Sequence, residues 1–140
     1  MSQAHNFEDL SIGQTASLAK TITEADILLY SAVSMDTNPL HLDAEFAKNS
    51  LFGQRIAHGM LSAGLISAVL GTRLPGPGAI YLRQELRFTA PVTIGQTVKA
   101  TVEVMELDPT KKRVTLRTTC TVGDTTVIEG EATVRVSSRR

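Results

Sequence analysis

Apolar and polar residues alternate along four stretches in the second half of the chain. A period of two predicts strands that bury one face, so these stretches predict an antiparallel sheet. The Gly123-Asp124 pair fits a two-residue hairpin, and Asp108-Pro109 fits another turn. The four predicted strands are residues 80–88, 98–104, 114–120 and 128–136, and a fifth is predicted over 15–22. In the first of the four, Ile80, Leu82, Leu86 and Phe88 are predicted to share one face.

The first half of the chain predicts two helices. Residues 23–26 combine a threonine N-cap with acids in the first turn, which predicts a helix ending near Met35. Its predicted buried stripe is Ile27, Leu28, Tyr30 and Val33. Pro39 disfavours a helical Asn38, so residues 36–41 are predicted to form a loop. Asp43 is a candidate cap for a short second helix over 44–49.

A third helix is predicted over residues 58–74, inside a stretch (56–72) that has no Asp, Glu, Lys or Arg. That stretch is at the short limit of the roughly 20 residues that span a membrane, and it contains serines and glycines. A core helix that is apolar all round, and therefore buried on every side, is the better interpretation. The element order predicts an α+β fold in one domain, residues 1–140, with a curved antiparallel sheet around this helix.

Charge and cysteine content exclude several classes of protein. Lys plus Arg and Asp plus Glu both number 14, which does not suggest a nucleic-acid-binding surface. Cys120 is the single cysteine, so no intrachain disulfide can form. The N-terminus does not resemble a secretory signal and the C-terminus is not a peroxisomal address, so a cytoplasmic protein without a membrane span is expected.

Asp36 and His41 are the candidate catalytic residues, five positions apart on the segment that Pro39 stiffens. From spacing alone, Asp36 ending a helix and His41 making a surface hydrogen bond is the favoured interpretation. The following apolar helix changes this balance, because it begins at His58-Gly59 with free backbone N–H groups. His58 itself is expected to be structural, and no residues have zinc-site spacing.

The chemistry available to these residues is addition or elimination beside a carbonyl group. Unperturbed Asp and His titrate near 3.9 and 6.5, so the two side chains can share acid–base work near neutral pH. The Gly59 N–H can stabilise a carbonyl oxygen that becomes negative, and glycine allows a close approach of ligand to backbone. No Gly-x-Ser-x-Gly motif is present, which disfavours a serine hydrolase.

Two motifs carry a resemblance to a known family. Asp36-Thr37-Asn38-Pro39-Leu40-His41 resembles the hydratase-2 motif Asp-x-Asn-Pro-x-His, and residues 56–60, Ile-Ala-His-Gly-Met, resemble the family's second signature. The chain is identified as similar to MaoC-like (R)-specific enoyl-CoA hydratases over residues 10–136. The similarity is strongest to the short single-domain type that supplies polyhydroxyalkanoate synthesis.

This resemblance implies a hot-dog fold, a homodimer, and syn hydration of trans-2-enoyl-CoA to (R)-3-hydroxyacyl-CoA. It implies that Asp36 and His41 activate water and deliver the proton, with the choice of base left open, while Gly59 binds the thioester oxygen. Asn38, Ser67 and Leu70 are expected to contact substrate, and the sizes of the last two suggest short acyl chains. No metal or redox cofactor is expected, because CoA arrives with the substrate.

Three alternatives remain open at this stage. A 3-hydroxyacyl-acyl-carrier-protein dehydratase would use the same residues on a protein-bound thioester. A hot-dog thioesterase often places a carboxylate on the central helix, and no Asp or Glu lies between Arg55 and Arg73. A non-catalytic acyl-CoA-binding module would not need Asp36 and His41 together.

Overall fold

The computed structural model describes residues 4–139. Five strands and four α-helices follow a short 3₁₀ helix, Phe7–Asp9. The helices are α1 (Glu24–Ser34), α2 (Pro39–Leu42), α3 (Ala44–Lys48) and α4 (Gly59–Thr72). The strands are β1 (Thr15–Thr21), β2 (Ile80–Phe88), β3 (Thr97–Asp108), β4 (Arg113–Val122) and β5 (Thr125–Arg135). The predicted α+β class is confirmed, and so are all five strands.

The strands form one antiparallel sheet in the order β1-β3-β4-β5-β2. Alternate residues of β3 and β4 are fully buried, as their period of two predicted. The predicted two-residue hairpin joins β4 to β5 at Gly123-Asp124. β1 and β2 are the edge strands of the sheet within the described residues, and β2 has no fully buried residue.

Helix α4 packs against β3, β1 and β4 and supplies the middle of the core. Ile66 and Val69 of α4 are fully buried, but the predicted burial on every side is wrong. Met60 is 52% exposed, and Gly64 and Ser67 are also exposed, so one face of the helix is uncovered in the single chain. No helix in the part of the chain that the structure describes is long and apolar enough to cross a membrane.

Helix α1 begins and ends as predicted, but its predicted buried stripe is wrong. Thr23 and Asp26 form a reciprocal capping box, and Met35 ends the helix in a left-handed conformation (φ 67°). Of the predicted stripe, Ile27 is buried and Tyr30 half-buried, whereas Leu28 and Val33 are 52% and 83% exposed. The buried positions are Ile27 and Ser31, one turn apart, because only this narrow line of α1 meets the core.

An irregularity in β2 changes the face that several side chains occupy. The register with β5 shifts between Tyr81 and Arg83. Because of this shift, Tyr81 lies on the same face of β2 as Gln84, Leu86 and Phe88, and Leu82 does not. The residues of β2 opposite inward-facing β5 positions are Tyr81, Gln84, Leu86 and Phe88. The prediction that Ile80 and Leu82 share a face with Leu86 and Phe88 is therefore wrong.

The segment that carries the candidate pair is only partly the predicted loop. Residues 36–38 are irregular, but Pro39 opens the single helical turn α2, which contains His41. Asn38 is non-helical (φ −51°, ψ 125°), as the following proline requires, and its side chain caps the turn by accepting from Leu40 N at 3.0 Å. Proline at the first position of a helix loses no hydrogen bond, because the N–H it lacks would have no partner within the helix. Pro39 therefore disfavours a helical conformation at Asn38 and also begins α2.

Candidate active site

A cavity of about 460 Å³ lies beside the beginning of α4. Asp36, His41, His58 and Gly59 line it together, so the fold brings these candidate residues into one place. Its remaining walls are mostly apolar and come from the segment before α4, from the first turn of α4 and from the end of β2 onward. Among them are Phe52, Ile56, Met60, Phe88, Pro91 and Val92. A largely apolar pocket with a few convergent polar groups is typical of a small-molecule site.

Asp36 is exposed on the short connection between α1 and α2. Its main-chain N–H donates to Ser34 Oγ at 3.1 Å, and its Oδ1 accepts from Asn38 N at 3.3 Å. These local bonds fix the turn while leaving carboxylate oxygen capacity for a ligand, because each oxygen has two lone pairs.

His41 is buried, and its ring orientation is fixed from one side. Its Nδ1 lies 2.8 Å from the carbonyl oxygen of Ile56, which can only accept, so Nδ1 carries a proton and donates. The neutral ring therefore has its lone pair on Nε2, the nitrogen that can take a proton from a bound molecule. Arg55 secures α2 as well, donating through Nε to the His41 carbonyl at 2.6 Å and through its terminal nitrogens to Glu24.

His58 is the N-cap residue of α4 and is 2% exposed. Its Nε2 lies 3.0 Å from the carbonyl oxygen of Asp36 and 3.1 Å from Ser31 Oγ. Its ring stacks on that of His41, with centroids 3.9 Å apart and planes 29° apart. Burial lowers the pKa of His58 below its ordinary value, and the nearby His41 lowers it further against the opposing effect of the Asp36 carbonyl.

One carboxylate oxygen of Asp36 and one ring nitrogen each of His41 and His58 lie within 4.8 Å of one another. Sequence spacing did not predict this group of potential metal ligands. A ring nitrogen binds a metal in the plane of its ring, at about 2.0–2.1 Å for zinc. The rings of His41 and His58 are stacked with their planes 29° apart, and one nitrogen of each ring lies within hydrogen-bond distance of a main-chain carbonyl oxygen. These contacts leave His41 Nε2 as a nitrogen that can exchange a proton with a bound molecule.

Gly59 is the first residue of α4, where backbone N–H groups have no partner within the helix. A side-chain carbon built on Gly59 would lie 2.6 Å from two ring carbons of Phe88. The glycine therefore gives both close access to the helix N-terminus and room for the Phe88 ring. The N-terminal helix dipole also favours negative charge at this point.

The other three predicted contact residues lie outside this cavity. The Asn38 side chain is used as the cap of α2. Ser67 lines a groove of about 410 Å³ between α4 and β2 and, with Leu70, a smaller space of about 120 Å³. Met60 lines both the groove and the cavity, so the groove continues from the cavity along α4. The roles of Asn38, Ser67 and Leu70 in substrate binding stay predictions.

Sequence reasoning missed how closely His58 joins the pair and did not anticipate Ser31 or Phe88 at the site. A histidine inside an otherwise charge-free apolar stretch was the available signal for His58. Its contacts with Ser31 and Asp36 join positions 27 and 22 residues apart, which no local pattern contains.

The fold and the site define a small acid–base enzyme class: a five-stranded antiparallel sheet with a packed helix, and a carboxylate and an imidazole beside the helix N-terminus. The model of the MaoC like domain matches residues 9–130, and the chain belongs to this family. The sheet and helix form a hot-dog fold, as in the solved structures it resembles.

Named relatives are similar over nearly the whole chain. An (R)-specific enoyl-CoA hydratase of Rhodospirillum rubrum is 65% identical, with 96% of this chain and 94% of the relative covered. A 3-hydroxybutyryl-CoA dehydratase of Methylorubrum extorquens is 53% identical over 95% of this chain and 85% of the relative. The solved (R)-hydratase from Aeromonas caviae involved in PHA biosynthesis aligns with a TM-score of 0.89 and 44% identity, covering 92% and 98% of the two chains.

Proposed function

We infer that the protein is an (R)-specific enoyl-CoA hydratase, a hydro-lyase that interconverts trans-2-enoyl-CoA and (R)-3-hydroxyacyl-CoA. The observation that carries this inference is the meeting of Asp36, His41 and Gly59 at one apolar cavity. The names of the 65% and 53% identical relatives, one of which acts on a four-carbon thioester, support the reaction and short acyl chains.

The site supports a division of roles between these residues in hydration. Asp36 and His41 hold a water molecule and remove one of its protons as its oxygen bonds to C3 of the enoyl group. The electron pair of the C2–C3 double bond moves toward the thioester carbonyl, whose oxygen gains negative charge next to Gly59 N–H. The proton is then delivered to C2 by the same pair, so no net charge or proton is left on the enzyme.

Substrate CoA carries the thioester, and the proposed reaction calls for no oxidation or reduction. We therefore propose that no metal or redox cofactor takes part. Growth in metal-depleted medium followed by exhaustive chelation tests this point, because the rate should not fall. A rate that falls and is restored by one added metal would contradict it.

The test of the proposed function is loss of the conjugated enoyl-thioester absorbance of crotonyl-CoA with wild type, Asp36→Asn and His41→Ala. Each variant is expected to lose about 10²–10⁴-fold in kcat, since each removes an acid–base group. The product should be (R)-3-hydroxybutyryl-CoA by chiral chromatography. A wild type that is inert toward every enoyl-CoA chain length, or a fully active Asp36→Asn, would refute the proposal.

The same experiment separates the alternatives. A carrier-protein dehydratase would prefer the acyl-carrier-protein thioester to the CoA thioester at equal concentration. A thioesterase would release free thiol; the absence of any carboxylate from α4 weighs against it. A binding module would retain acyl-CoA without turnover, and it has no need of a lone-pair nitrogen directed by the His41–Ile56 bond.

We also propose a homodimer in the cytoplasm. The edge strand β2 exposes Ile80 and Leu82, and the neighbouring face of α4 exposes Met60. These residues provide an apolar surface and free strand hydrogen-bonding groups that a second copy can cover. Sedimentation equilibrium tests the dimer, and fractionation of cells that produce the protein tests its location. A monomer at micromolar concentration would contradict the first.

A further inference from the structure

The reaction assigned above uses Asp36 and His41, yet both are held by the same third residue. His58 contacts the main chain of Asp36 through a 3.0 Å hydrogen bond and the ring of His41 through a 3.9 Å stack. Tyr30 meets the His58 ring edge-on at 4.7 Å, and Ser31 lies 3.1 Å from its Nε2. Four residues, Tyr30, Ser31, Asp36 and His41, therefore contact the His58 ring.

The hydrogen bonds of His58 define its tautomer. A carbonyl oxygen only accepts, so the Nε2 that faces Asp36 must carry the proton and donate. Nδ1 then holds the lone pair of the neutral ring, and it is buried without a hydrogen-bond partner among the described residues. Protonating Nδ1 would bury an unsatisfied donor and a positive charge against the stacked His41 ring. Both changes are costly for a ring that is only 2% exposed.

This geometry opposes a role for His58 as a proton carrier and gives it another one. We propose that His58 is a positioning residue of the hydration reaction, which fixes the Asp36 main chain by donation from Nε2 and fixes the His41 ring by stacking. The inference rests on the proposed function, because its value lies in aligning the two groups that hold the water. A misplacement of about 1 Å at such a site is enough to cost about 10²-fold in rate.

The test compares His58→Gln, His58→Leu and His5→Leu with wild type on crotonyl-CoA. Glutamine keeps an N–H donor at a similar reach and cannot stack or titrate in the same way, whereas leucine keeps bulk and removes the donor. We expect His58→Leu to lose about 10²-fold in kcat with KM within threefold, and His58→Gln to recover at least tenfold of that loss. His5→Leu, the matched control, removes a histidine whose Nδ1 bonds to the Pro75 carbonyl oxygen outside the active-site cavity, and it should stay within threefold of wild type.

Two readouts distinguish positioning from general structural damage. Thermal unfolding and circular dichroism establish that each variant is folded, and nitrogen-15 NMR of His41 reports whether its ring keeps the Nδ1–H tautomer. The dependence of kcat/KM on pH should keep its acid limb in His58→Gln, because Asp36, His41 and Tyr30, the titratable groups that face His58, remain. Loss of that limb would overturn the proposal by making His58 the acid–base group.

The outcomes also separate this inference from the proposed function. An active wild type with an unchanged kcat in a folded His58→Leu variant would refute positioning while leaving the hydratase assignment intact. If leucine does not fold, a folded His58→Gln with less than 1% of wild-type kcat and unchanged KM would refute the hydrogen-bond role. A wild type that hydrates no enoyl thioester would refute the proposed function itself.

Discussion

Replacement of Gly59 by alanine separates the chemistry of the site from its stability. The backbone of Gly59 does not lie in the left-handed region, so alanine can adopt it. The added methyl group would lie 2.6 Å from Cδ1 and Cε1 of Phe88. Carbon atoms in contact prefer about 3.5–4.0 Å, so the ring or the helix start must move by about 1 Å.

The effect of Gly59→Ala on the free energy of unfolding depends on whether the Phe88 ring or the start of α4 moves. Phe88 is 51% exposed and close to the end of its strand, so its ring can turn aside at little cost to folding. Alanine also favours the helix over glycine by up to about 1 kcal/mol, which offsets part of that cost. We expect the free energy of unfolding to change by less than about 1 kcal/mol. Alanine keeps the Gly59 N–H, but its methyl group narrows the approach to it. If the thioester oxygen binds there, kcat should fall by up to about 10²–10³-fold, or roughly 2.7–4 kcal/mol, the cost of removing one oxyanion donor.

The assay is steady-state hydration of crotonyl-CoA beside urea unfolding, for Gly59→Ala, Phe88→Ala and the double variant. If displacement of Phe88 contributes to the loss, the double variant should be faster than Gly59→Ala, while a purely local block by the methyl group predicts no recovery. Either result agrees with a role for the Gly59 N–H. A folded Gly59→Ala enzyme with wild-type kcat and KM would refute the prediction that a methyl group at this position obstructs the thioester oxygen.

Three further results are expected. Leu70 is 2% exposed and lines the small space that it shares with Ser67, so Leu70→Ala should lower the free energy of unfolding by about 2–5 kcal/mol. The added space should also raise the ratio of kcat/KM for eight-carbon to that for four-carbon enoyl-CoA, and an unchanged ratio would count against the acyl-chain role. Burial raises the pKa of the Cys120 thiol to about 12, so iodoacetamide at pH 7.5 should leave native activity intact, and inactivation faster than unfolding would contradict this. Hydrogen bonds from the Arg139 main chain and the Ser138 side chain lower the pKa of Glu8 to about 2. These contacts should therefore persist at neutral pH and weaken only as the pH falls from about 4.5 toward 2. A pKa of Glu8 that NMR titration places at the ordinary value would contradict this.

Local sequence patterns predicted the elements well because those elements follow local rules. The alternation in β3 and β4 and the Thr23 cap each act over a few residues. The catalytic segment was also predictable, since proline restricts the residue before it and braces the positions around it. The same rule overlooked α2, because proline equally favours the first position of a helix.

The features that the sequence patterns missed depend on which surfaces of the helices and strands pack against one another. Periodicity identifies a possible apolar stripe on α1 or α4 but does not say which part another element covers, and Val33 and Met60 remain exposed. The irregularity in β2 likewise depends on pairing with β5, because it is a shift in register between the Tyr81–Val134 and Arg83–Thr133 pairs. Such contacts join residues tens of positions apart, which explains why they were not anticipated.

The placement of the whole reaction centre converges on one short segment, residues 55–58. Arg55 and Ile56 hold His41 through its carbonyl oxygen and its Nδ1, and His58 holds Asp36. The segment is itself anchored, because Ala57 N donates to Val92 O at 2.7 Å. Gly59 follows this segment directly, so the same segment positions both the proposed acid–base pair and the N–H that is proposed to bind the thioester oxygen. A disturbance of this segment therefore moves both halves of the site relative to the substrate, whereas a change in α1 beyond the Ser31 contact should leave them aligned.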